Sequence, residues 1–537
     1  MFLDATTLLI QQTSSEAVQL NPHEIAVNLK QFLLVLAVSL GVATLPQIIS
    51  WLHRIPYTLL LVIVGLGLAF VDIRLVELSP GLILSIFLPP LLFEAAWNLQ
   101  WSDLKRDFFP ICLYAIGGVV ITVAGVAIGL NQLANVALPI ALLIGACLSA
   151  TDPVSVTALF RELGADKRLR TVMEGESLFN DGMAVVAFSA LSAMAYGASE
   201  LTPQSILLEF VQVVGIGIGI GSTIGFGISY ITQRFDLPLV EQSLTLVSAY
   251  GVYLIAEDLG GSVVIAVVAT GLILGNFGSR IGMSPRTRVI VTAFWEFLSF
   301  FVNSIVFLLI GDQIHFTSLG KNLGIIAVTV GMMFLTRAIA IYGLGWFSNR
   351  LIKIRIPIKE QTVLWWGGVR GSVSIALALS VSRSLGDRDA IIAAVFGAVL
   401  FTLLVQGLSI QPLMTALKLL GSQPLRQQYA EAIARHMALS RVLQHLSEVE
   451  LRPNIEPEIY RDSEAMIQEE LRHLQTEISR FEVENPAIRD WITQQLHSEL
   501  IAIEADTYAD LVRTGLLNQE LSSFLHKRFQ DENKFPE

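Results

Sequence analysis

The sequence predicts an all-α polytopic membrane protein with about thirteen transmembrane helices and a cytoplasmic helical tail. Of the 537 residues, 53% are hydrophobic and only 15% are charged, and the mean hydropathy is +0.62. These values exclude an ordinary soluble protein. The apolar runs are about 17 to 27 residues long, the length that a hydrocarbon core of about 30 Å requires.

Breaks that contain charged residues, glycine or proline separate the apolar runs and define the individual spans. We expect spans near residues 31–51, 57–71, 81–97, 109–130, 134–160, 171–197, 206–232, 238–256, 258–277, 288–311, 323–347, 362–383 and 388–417. The second run is short, and the eighth and ninth nearly touch. The count of thirteen therefore carries an uncertainty of one.

Lys and Arg residues indicate the orientation, because they accumulate in cytoplasmic connections. Most of them follow odd-numbered spans, as in KRLR at 167–170 and KIR at 353–355, whereas Lys30 and Arg74 are among the few on the other side. We therefore expect the N-terminus outside and the C-terminus in the cytoplasm. We further expect the protein in the plasma membrane. Residues 1–30 lack the basic start of a secretory signal and are expected to form an external segment.

The membrane domain is expected at 31–417 and a separate cytoplasmic domain at 418–537. From Lys418 onward thirteen Lys and Arg stand against twenty-one Asp and Glu, a net charge of −8 out of −11 for the whole chain. Apolar residues recur there at three- and four-residue intervals, which predicts amphipathic helices. The acidity argues against nucleic acid and anionic lipid as partners of this domain, which we expect to be regulatory. Its five histidines are either pH-sensing groups or ordinary surface residues.

An acidic residue interrupts the fifth span in the motif ATDPVS, where Asp152 lies between Thr151 and Pro153. Proline removes a backbone donor and breaks the helix, so the carbonyl groups of the preceding turn lose their usual partners. At membrane depth such carbonyl groups must be satisfied by protein, water or an ion. The motif is therefore typical of a broken helix that offers oxygen ligands, or of a kinked helix whose Asp caps the next segment.

A second acidic residue, Asp181, lies in the sixth span in the motif GESLFNDG. If this helix begins near Thr171, Asp181 is about ten residues into it, or roughly 15 Å, near the middle of the bilayer. Ser177 shares a face with Asp181, and Glu176 shares the adjacent face with Asn180. One face therefore offers the oxygen ligands that a hard cation prefers, and an ionisable residue at this depth indicates a functional site.

Glu176 requires a positive partner, because an unpaired charge inside the membrane is costly. The candidates are Arg370 in the motif GGVRGSVSIALAL and Arg337 in LTRAIAIYGL. We expect Arg370 to pair with Glu176, with Asn180 bridging them, and treat Arg337 as the weaker candidate. The alternative, a charge that stabilises the helix N-terminus, applies better to Glu174.

Three further polar residues lie at predicted span ends or interiors. Glu94, in FLPPLLFEAAW, is near the cytoplasmic end of the third span, and Glu296 and Asn303 lie in the tenth. Each is either part of the same site, reached through water, or an ordinary polar residue of its helix.

Four motifs in order, FLPPLLFEAAW, ATDPVS, GESLFNDG and GGVRGSVSIALAL, identify a resemblance that covers residues 30–418. The chain resembles the sodium/proton antiporters of the monovalent cation:proton antiporter family, particularly the NhaP type, which is similar to the eukaryotic sodium/proton exchangers. The resemblance implies two inverted six-helix repeats in which the fifth and twelfth helices are discontinuous and cross. The interrupted motifs fall in those two spans, as expected of a midplane site.

The resemblance also implies roles for individual residues. It makes Asp181, supported by Asp152, the carrier of the cation and the proton. It implies a sodium site of Asp152, Ser177 and Asp181, completed by the Thr151 backbone and, more loosely, Glu94. It implies an internal polar group of Glu176, Asn180 and Arg370.

The expected activity is exchange of sodium or lithium for protons by alternating access, with pH and sodium homeostasis as its use. Two neighbouring carboxylates titrate as a coupled pair, so cation and proton compete. Electrogenic relatives place a second Asp before the carrier, whereas Asn180 does not titrate, which implies electroneutral one-to-one exchange.

Because the chain has no GxxxxGK[ST] loop, we expect neither a nucleotide nor a cofactor, and no enzyme activity. The resemblance further implies a homodimer in membrane lipid. Potassium/proton or calcium/proton exchange and a gated cation channel remain the alternatives. An intramembrane aspartyl protease is disfavoured, since its Gly-x-Gly-Asp signature is missing.

Overall fold

The computed structural model is helical almost throughout the part of the chain that it describes, and contains no strand there. It describes residues 22–489, except for 50–54, 72–78, 153, 155, 158–159, 161–163, 196–202, 234–236, 280–281, 315, 353–354, 383–384, 386, 420–422, 450–456 and 486–487, and a few single residues between 492 and 507. The expected external segment at 1–30 and the end of the expected cytoplasmic domain lie largely outside these residues.

The first half of the membrane region begins with helices that follow the predicted spans in order. They are α1 (Pro22–Ile48), α2 (Tyr57–Phe70), α3 (Leu82–Asn98), the short α4 (Trp101–Arg106), α5 (Phe108–Ala134), α6 (Leu138–Cys147), α7 (Lys167–Ala195) and α8 (Pro203–Thr232). α7 begins four residues before the expected Thr171, so Asp181 lies about 21 Å along the helix at 1.5 Å per residue.

The second half continues in the same way. Its helices are α9 (Pro238–Asp258), α10 (Val263–Gly278), α11 (Pro285–Asp312), the short α12 (Phe316–Lys321), α13 (Leu323–Leu351), α14 (Ile358–Trp366), α15 (Ser372–Ser380) and α16 (Arg388–Leu417). Six helices among the described residues are long and apolar enough to cross a membrane, and five more are shorter and apolar. The all-α membrane fold is therefore confirmed, whereas the number of spans and the inverted repeats stay predictions.

Helical structure is interrupted in the two spans where discontinuous helices are expected. α6 ends at Cys147, and residues 149–152 follow without helical structure. α14 ends at Trp366, and α15 does not begin until Ser372. The two unwound segments meet, because the Asp152 backbone N–H donates to the Val369 carbonyl oxygen at 2.8 Å.

Glycines allow close contacts between two pairs of helices. A Cβ atom on Gly65 of α2 would collide with the Leu308 carbonyl of α11, and one on Gly221 of α8 would collide with the Ala266 carbonyl of α10. Small residues let helix backbones approach closely in the absence of a hydrophobic drive inside lipid. They therefore fix α2 against α11 and α8 against α10.

Two amphipathic helices, α17 (Gln423–Val449) and α18 (Pro457–Glu484), follow the membrane region and pack against each other. Tyr429 and Phe481 form the centre of a small apolar cluster with Ile488, and the Tyr429 hydroxyl donates to Glu482 at 2.7 Å. Burial and the Glu482 carboxylate raise the pKa of Tyr429 to about 12. The expected domain boundaries at 30 and 418 stay predictions.

Candidate functional site

Asp152 lies on the unwound segment after α6, and its two carboxylate oxygens have different surroundings. Oδ1 accepts a hydrogen bond from the Val154 backbone N–H at 3.0 Å, as in a helix cap. Oδ2 lies against Gly371, where a Cβ atom would collide with it. The capping alternative therefore describes one oxygen, while the other faces the second unwound segment.

Three side-chain contacts attach this segment to α7 at Thr151. Ser177 Oγ donates to the Thr151 carbonyl oxygen. Asn180 Nδ2 donates to Thr151 Oγ1 at 2.6 Å, and the Thr151 backbone N–H donates to Asn180 Oδ1 at 3.2 Å. The broken helix is thus bound to the two positions of α7 that lie one turn and one residue before Asp181.

Asp181 is buried, with 9% of its surface exposed. Its Oδ1 atom is shielded from solvent and has no hydrogen-bond partner among the described residues. Burying a carboxylate without a partner is costly unless it takes up a proton or a cation. The Asp181 carboxyl group is therefore expected to bind either a proton or a cation.

A cavity of about 410 Å³ joins Asp152 and Asp181. Besides these two acids, the polar side chains that line it are Tyr57, Glu94, Asn98, Thr151, Thr157, Glu174, Ser177, Glu296, Ser299, Asn303, Ser372 and Ser374. Carboxylate, hydroxyl and carbonyl oxygens of this kind suit a hard monovalent or divalent cation. The cavity thus brings the predicted cation-binding residues together.

The looser candidates Glu94, Glu296 and Asn303 all line this cavity. Glu94 accepts a hydrogen bond from Asn98 Nδ2 at 2.6 Å. Glu296 is exposed, whereas Asn303 is buried and donates to Ser299 Oγ at 3.4 Å. They form part of the cavity wall on α3 and α11.

The expected pairing of Glu176 with Arg370 is wrong. Arg337 of α13 is the partner, and its Nη1 and Nη2 atoms each lie 3.1 Å from a Glu176 carboxylate oxygen. Arg337 also donates to the Leu364 carbonyl at 2.9 Å. Asn180 Nδ2 does contact Glu176 Oε1, at 3.2 Å, but its other side-chain contacts are with Thr151, so it links Glu176 to the unwound segment and does not bridge the ion pair.

The physical reason lies in the unwound GGVRG segment. Gly368 has no side chain, and a Cβ atom there would collide with the Arg337 guanidinium, so the guanidinium occupies that space. Arg370 is directed elsewhere, and its Nη1 atom donates to the Ala150 carbonyl at 2.9 Å and the Ser149 carbonyl at 3.3 Å. Arg370 thus satisfies carbonyl groups freed by the break after α6.

Gly371 and Thr402 contribute to the site, and our sequence reasoning did not single them out. Gly371 leaves room for Asp152, and Thr402 Oγ1 accepts a hydrogen bond from the Arg370 backbone N–H at 3.1 Å. The glycines of the GGVRG motif could have indicated a role for Gly371, because glycine allows another group to approach the backbone closely. A single threonine in an apolar run gives no comparable signal.

Comparisons with known proteins point to one family. The model of the family described as "Sodium/hydrogen exchanger, transmembrane" matches residues 35–416. The chain is 60% identical over 501 residues to the Na(+)/H(+) antiporter ApNhaP of Aphanothece halophytica, covering 93% of this chain and 96% of that protein. It is 54% identical over 505 residues to the low-affinity Na(+)/H(+) antiporter NhaS1 of Synechocystis, with the same coverage.

The fold also matches a solved structure. The sodium proton antiporter MjNhaP1 of Methanocaldococcus jannaschii is similar with a TM-score of 0.60 at 22% identity, over 74% of this chain and 100% of that one. At this identity the likeness concerns the fold. The sequence matches extend over most of the membrane region, and the chain therefore belongs to the sodium/hydrogen exchanger family.

Proposed function

We propose that this integral membrane protein exchanges sodium for protons, with Asp181 as the group that carries either ion. The observation that supports this most is the buried Asp181 oxygen without a partner, which shares a cavity with Asp152. Relatives at 60% and 54% identity are named Na(+)/H(+) antiporters. The protein is accordingly a transporter, and potassium or calcium exchange and a channel are less favoured.

The proposed sodium ligands are oxygens of Asp152, Ser177 and Asp181, with the Thr151 backbone and Glu94 at the edge of the cavity. Thr151 is held in place by Ser177 and Asn180, so its backbone is preorganised. The Thr151 carbonyl accepts the Ser177 proton and has a second lone pair to offer. Sodium would thus bind a fixed set of oxygens, and its binding would require that Asp181 release its proton.

The neighbouring charges support a single titrating carrier. Glu176 and Arg337 neutralise each other, and Arg370 is bound to two carbonyl groups. Asn180 does not titrate and uses its amide to bridge Thr151 and Glu176. One proton released per sodium bound is the simplest stoichiometry of such a site, and we propose electroneutral exchange.

The helix ends that line the cavity support a proposal for which side of the membrane the site faces. Glu94 and Asn98 lie near the end of α3, and Glu174 lies near the start of α7. With the N-terminus outside, these helix ends are cytoplasmic, so we propose that the described conformation opens inward. Alternating access would then require α7 and the two broken helices to move together relative to α2 and α11.

We also propose a location, an oligomeric state and domain boundaries for the protein. They are a location in the plasma membrane with the C-terminus in the cytoplasm, a homodimer, a membrane domain at 31–417, and a regulatory domain at 418–537. Use in pH and sodium homeostasis is consistent with the names of the relatives. No nucleotide or cofactor enters the proposed cycle.

Reconstitution into liposomes with an acidic interior tests the proposal. We expect added sodium to dissipate the pH gradient with saturation, lithium to act similarly, and potassium and calcium to act weakly. Because exchange is electroneutral, clamping the membrane potential with valinomycin and potassium should leave the rate unchanged. A sodium-dependent current without a pH response would support the channel and contradict the proposal.

A further inference from the structure

A surface that the proposed ion site does not use lies where α13 ends and α14 begins. Its basic side chains are Arg350, Arg355 and Lys359, all exposed. We call these three residues, with the apolar side chains around them, the basic turn. Residues 346–360 contain a single acid, Glu360. The turn therefore has a net positive charge.

The turn has a defined geometry. Asn349 donates from Nδ2 to the Ile356 carbonyl at 2.9 Å, and its Oδ1 accepts from the Ile356 backbone N–H at 2.8 Å. This pair of bonds holds together the residues immediately next to Arg350 and Arg355. The side chains of Arg350 and Arg355 therefore start from backbone positions next to the hydrogen-bonded pair Asn349 and Ile356.

Large apolar side chains accompany the charges. Trp346, Leu351 and Ile358 are 58%, 62% and 73% exposed, and the Arg350 guanidinium carbon lies 4.1 Å from the centre of the Trp346 ring. Tryptophan is enriched at the boundary between the hydrocarbon core and the headgroups. The turn thus presents apolar groups to acyl chains beside positive charges at headgroup level.

Glu360 does not cancel this charge. It is half-buried, and it interacts with Arg168, Asp166 and Asp107 on neighbouring elements. Burial, together with Asp166 and Asp107, raises the pKa of its carboxyl group, although Arg168 opposes the shift. Within the turn, three exposed basic side chains therefore stand against one half-buried acid.

We propose that the basic turn binds the headgroup of an anionic phospholipid, with Trp346 and Ile358 against the acyl chains. Charge complementarity and the exposed apolar groups favour a lipid over the chain's own acidic tail, which would leave the apolar groups uncovered. Surface-bound basic residues contribute about fivefold each to affinity for an anionic membrane. The binding does not depend on the proposed transport activity.

The bound lipid would act on the start of α7. Arg168, the second residue of that helix, donates to the Arg355 carbonyl at 3.0 Å and to buried Asp107 at 2.8 and 2.9 Å. A headgroup that holds Arg355 would therefore hold the chain to which α7 is attached. Anionic lipid should stabilise the described conformation, in which these contacts exist.

A thermal-shift titration of the purified full chain in dodecyl maltoside tests the binding. We expect phosphatidylglycerol to raise the melting temperature with concentration, because a ligand of the folded state stabilises it, and phosphatidylcholine to raise it much less. The variant Arg350→Gln/Arg355→Gln/Lys359→Gln should lose most of the rise. Lys105→Gln, an exposed lysine of α4, should keep it.

Three results would overturn the proposal: an equal rise with phosphatidylcholine, an undiminished rise in the triple variant, or an equal loss in Lys105→Gln. Glycerol phosphate serves as the headgroup probe, and a rise as large as that with the full lipid would indicate a soluble anion instead. If the triple variant does not fold, the single variants Arg350→Gln and Arg355→Gln replace it; each should lose part of the rise, and an undiminished rise in both would overturn the proposal.

Fluorescence quenching provides an independent measurement. Brominated phosphatidylglycerol in liposomes should quench the tryptophan emission more than brominated phosphatidylcholine, and Trp346→Phe should remove most of that excess. Equal quenching by the two lipids in the wild-type protein would contradict an anionic lipid at the basic turn. Neither measurement requires transport, so failure here is distinguishable from failure of the antiport proposal.

Discussion

Glu176 and Asp181 lie five residues apart on α7 and are both buried, with 3% and 9% of their surfaces exposed, yet their surroundings are opposite. Glu176 binds two N–H groups of Arg337 and the Asn180 amide. Asp181 has one oxygen with no partner among the described residues. The difference teaches that two buried acids on one helix can differ in whether the protein satisfies them, and it is the reason to propose Asp181, and not Glu176, as the carrier.

The two acids should also differ in what their loss costs. Removing one partner of a buried ion pair leaves an unbalanced charge and costs about 3–5 kcal/mol. Asp181 has no positively charged side chain at hydrogen-bonding distance among the described residues, so removing its charge breaks no ion pair. The first change should therefore damage stability, and the second should damage transport.

The largest expected effect is that of Asp181→Asn on transport. Asparagine keeps the size of the side chain but neither binds a proton nor balances sodium, so sodium-dependent proton flux in liposomes should be abolished. The melting temperature of the purified variant should be at least that of the wild type, because an unpaired buried charge is removed. The control is Asp389→Asn, at the start of α16 and away from this cavity, which should transport normally.

Glu176→Gln should show the opposite pattern. It leaves the Arg337 guanidinium buried without a negative partner, and we expect unfolding to be easier by about 3–5 kcal/mol, measured by thermal or denaturant unfolding in detergent. The double variant Glu176→Gln/Arg337→Met should recover much of this loss, since no charge is then unbalanced. A Glu176→Gln protein of wild-type stability would remove the distinction between the two acids.

Gly371→Ala should affect sodium binding more than stability. The added methyl group collides with the Asp152 carboxylate, which must move away from the proposed ligand position. We expect the KM for sodium to rise about tenfold, equivalent to about 1.4 kcal/mol. Gly331→Ala is the matched control, because its Cβ position is empty, and its KM should be unchanged.

The smallest effect is expected for Ser177→Ala. It removes one hydroxyl ligand and the hydrogen bond that holds the Thr151 carbonyl, and a hydrogen bond contributes about 1 kcal/mol. We therefore expect the KM for sodium to rise about fivefold while the maximal rate changes little. Ser192→Ala, on an exposed part of the same helix, should be neutral; an equal effect there would argue against a role specific to Ser177.

Much of this site could be predicted from local sequence. Proline after Asp152 breaks a helix for reasons of backbone chemistry, so the first unwound segment could be predicted from the residues alone, whereas the second, around Arg370, was implied by the family resemblance. The four-residue spacing of Ser177 and Asp181 fixed their common face. These are short-range effects, which a sequence states directly.

The partner of Glu176 depended on long-range geometry. Arg337 and Arg370 lie 161 and 194 positions away from it, and both are cations inside apolar runs. The choice was decided by the space at Gly368 and by the carbonyl groups of Ser149 and Ala150, which attract Arg370. Neither is visible before the two broken segments are placed against each other.

Proton release on sodium binding tests the central claim most directly. The purified protein in weakly buffered detergent solution, near neutral pH, is mixed with sodium, and bound sodium and released protons are counted together. If Asp181 carries both ions, the wild type should release about one proton per sodium bound, and Asp181→Asn should do neither. Sodium binding without proton release in the wild type, or sodium-coupled proton release that persists in Asp181→Asn, would contradict the account.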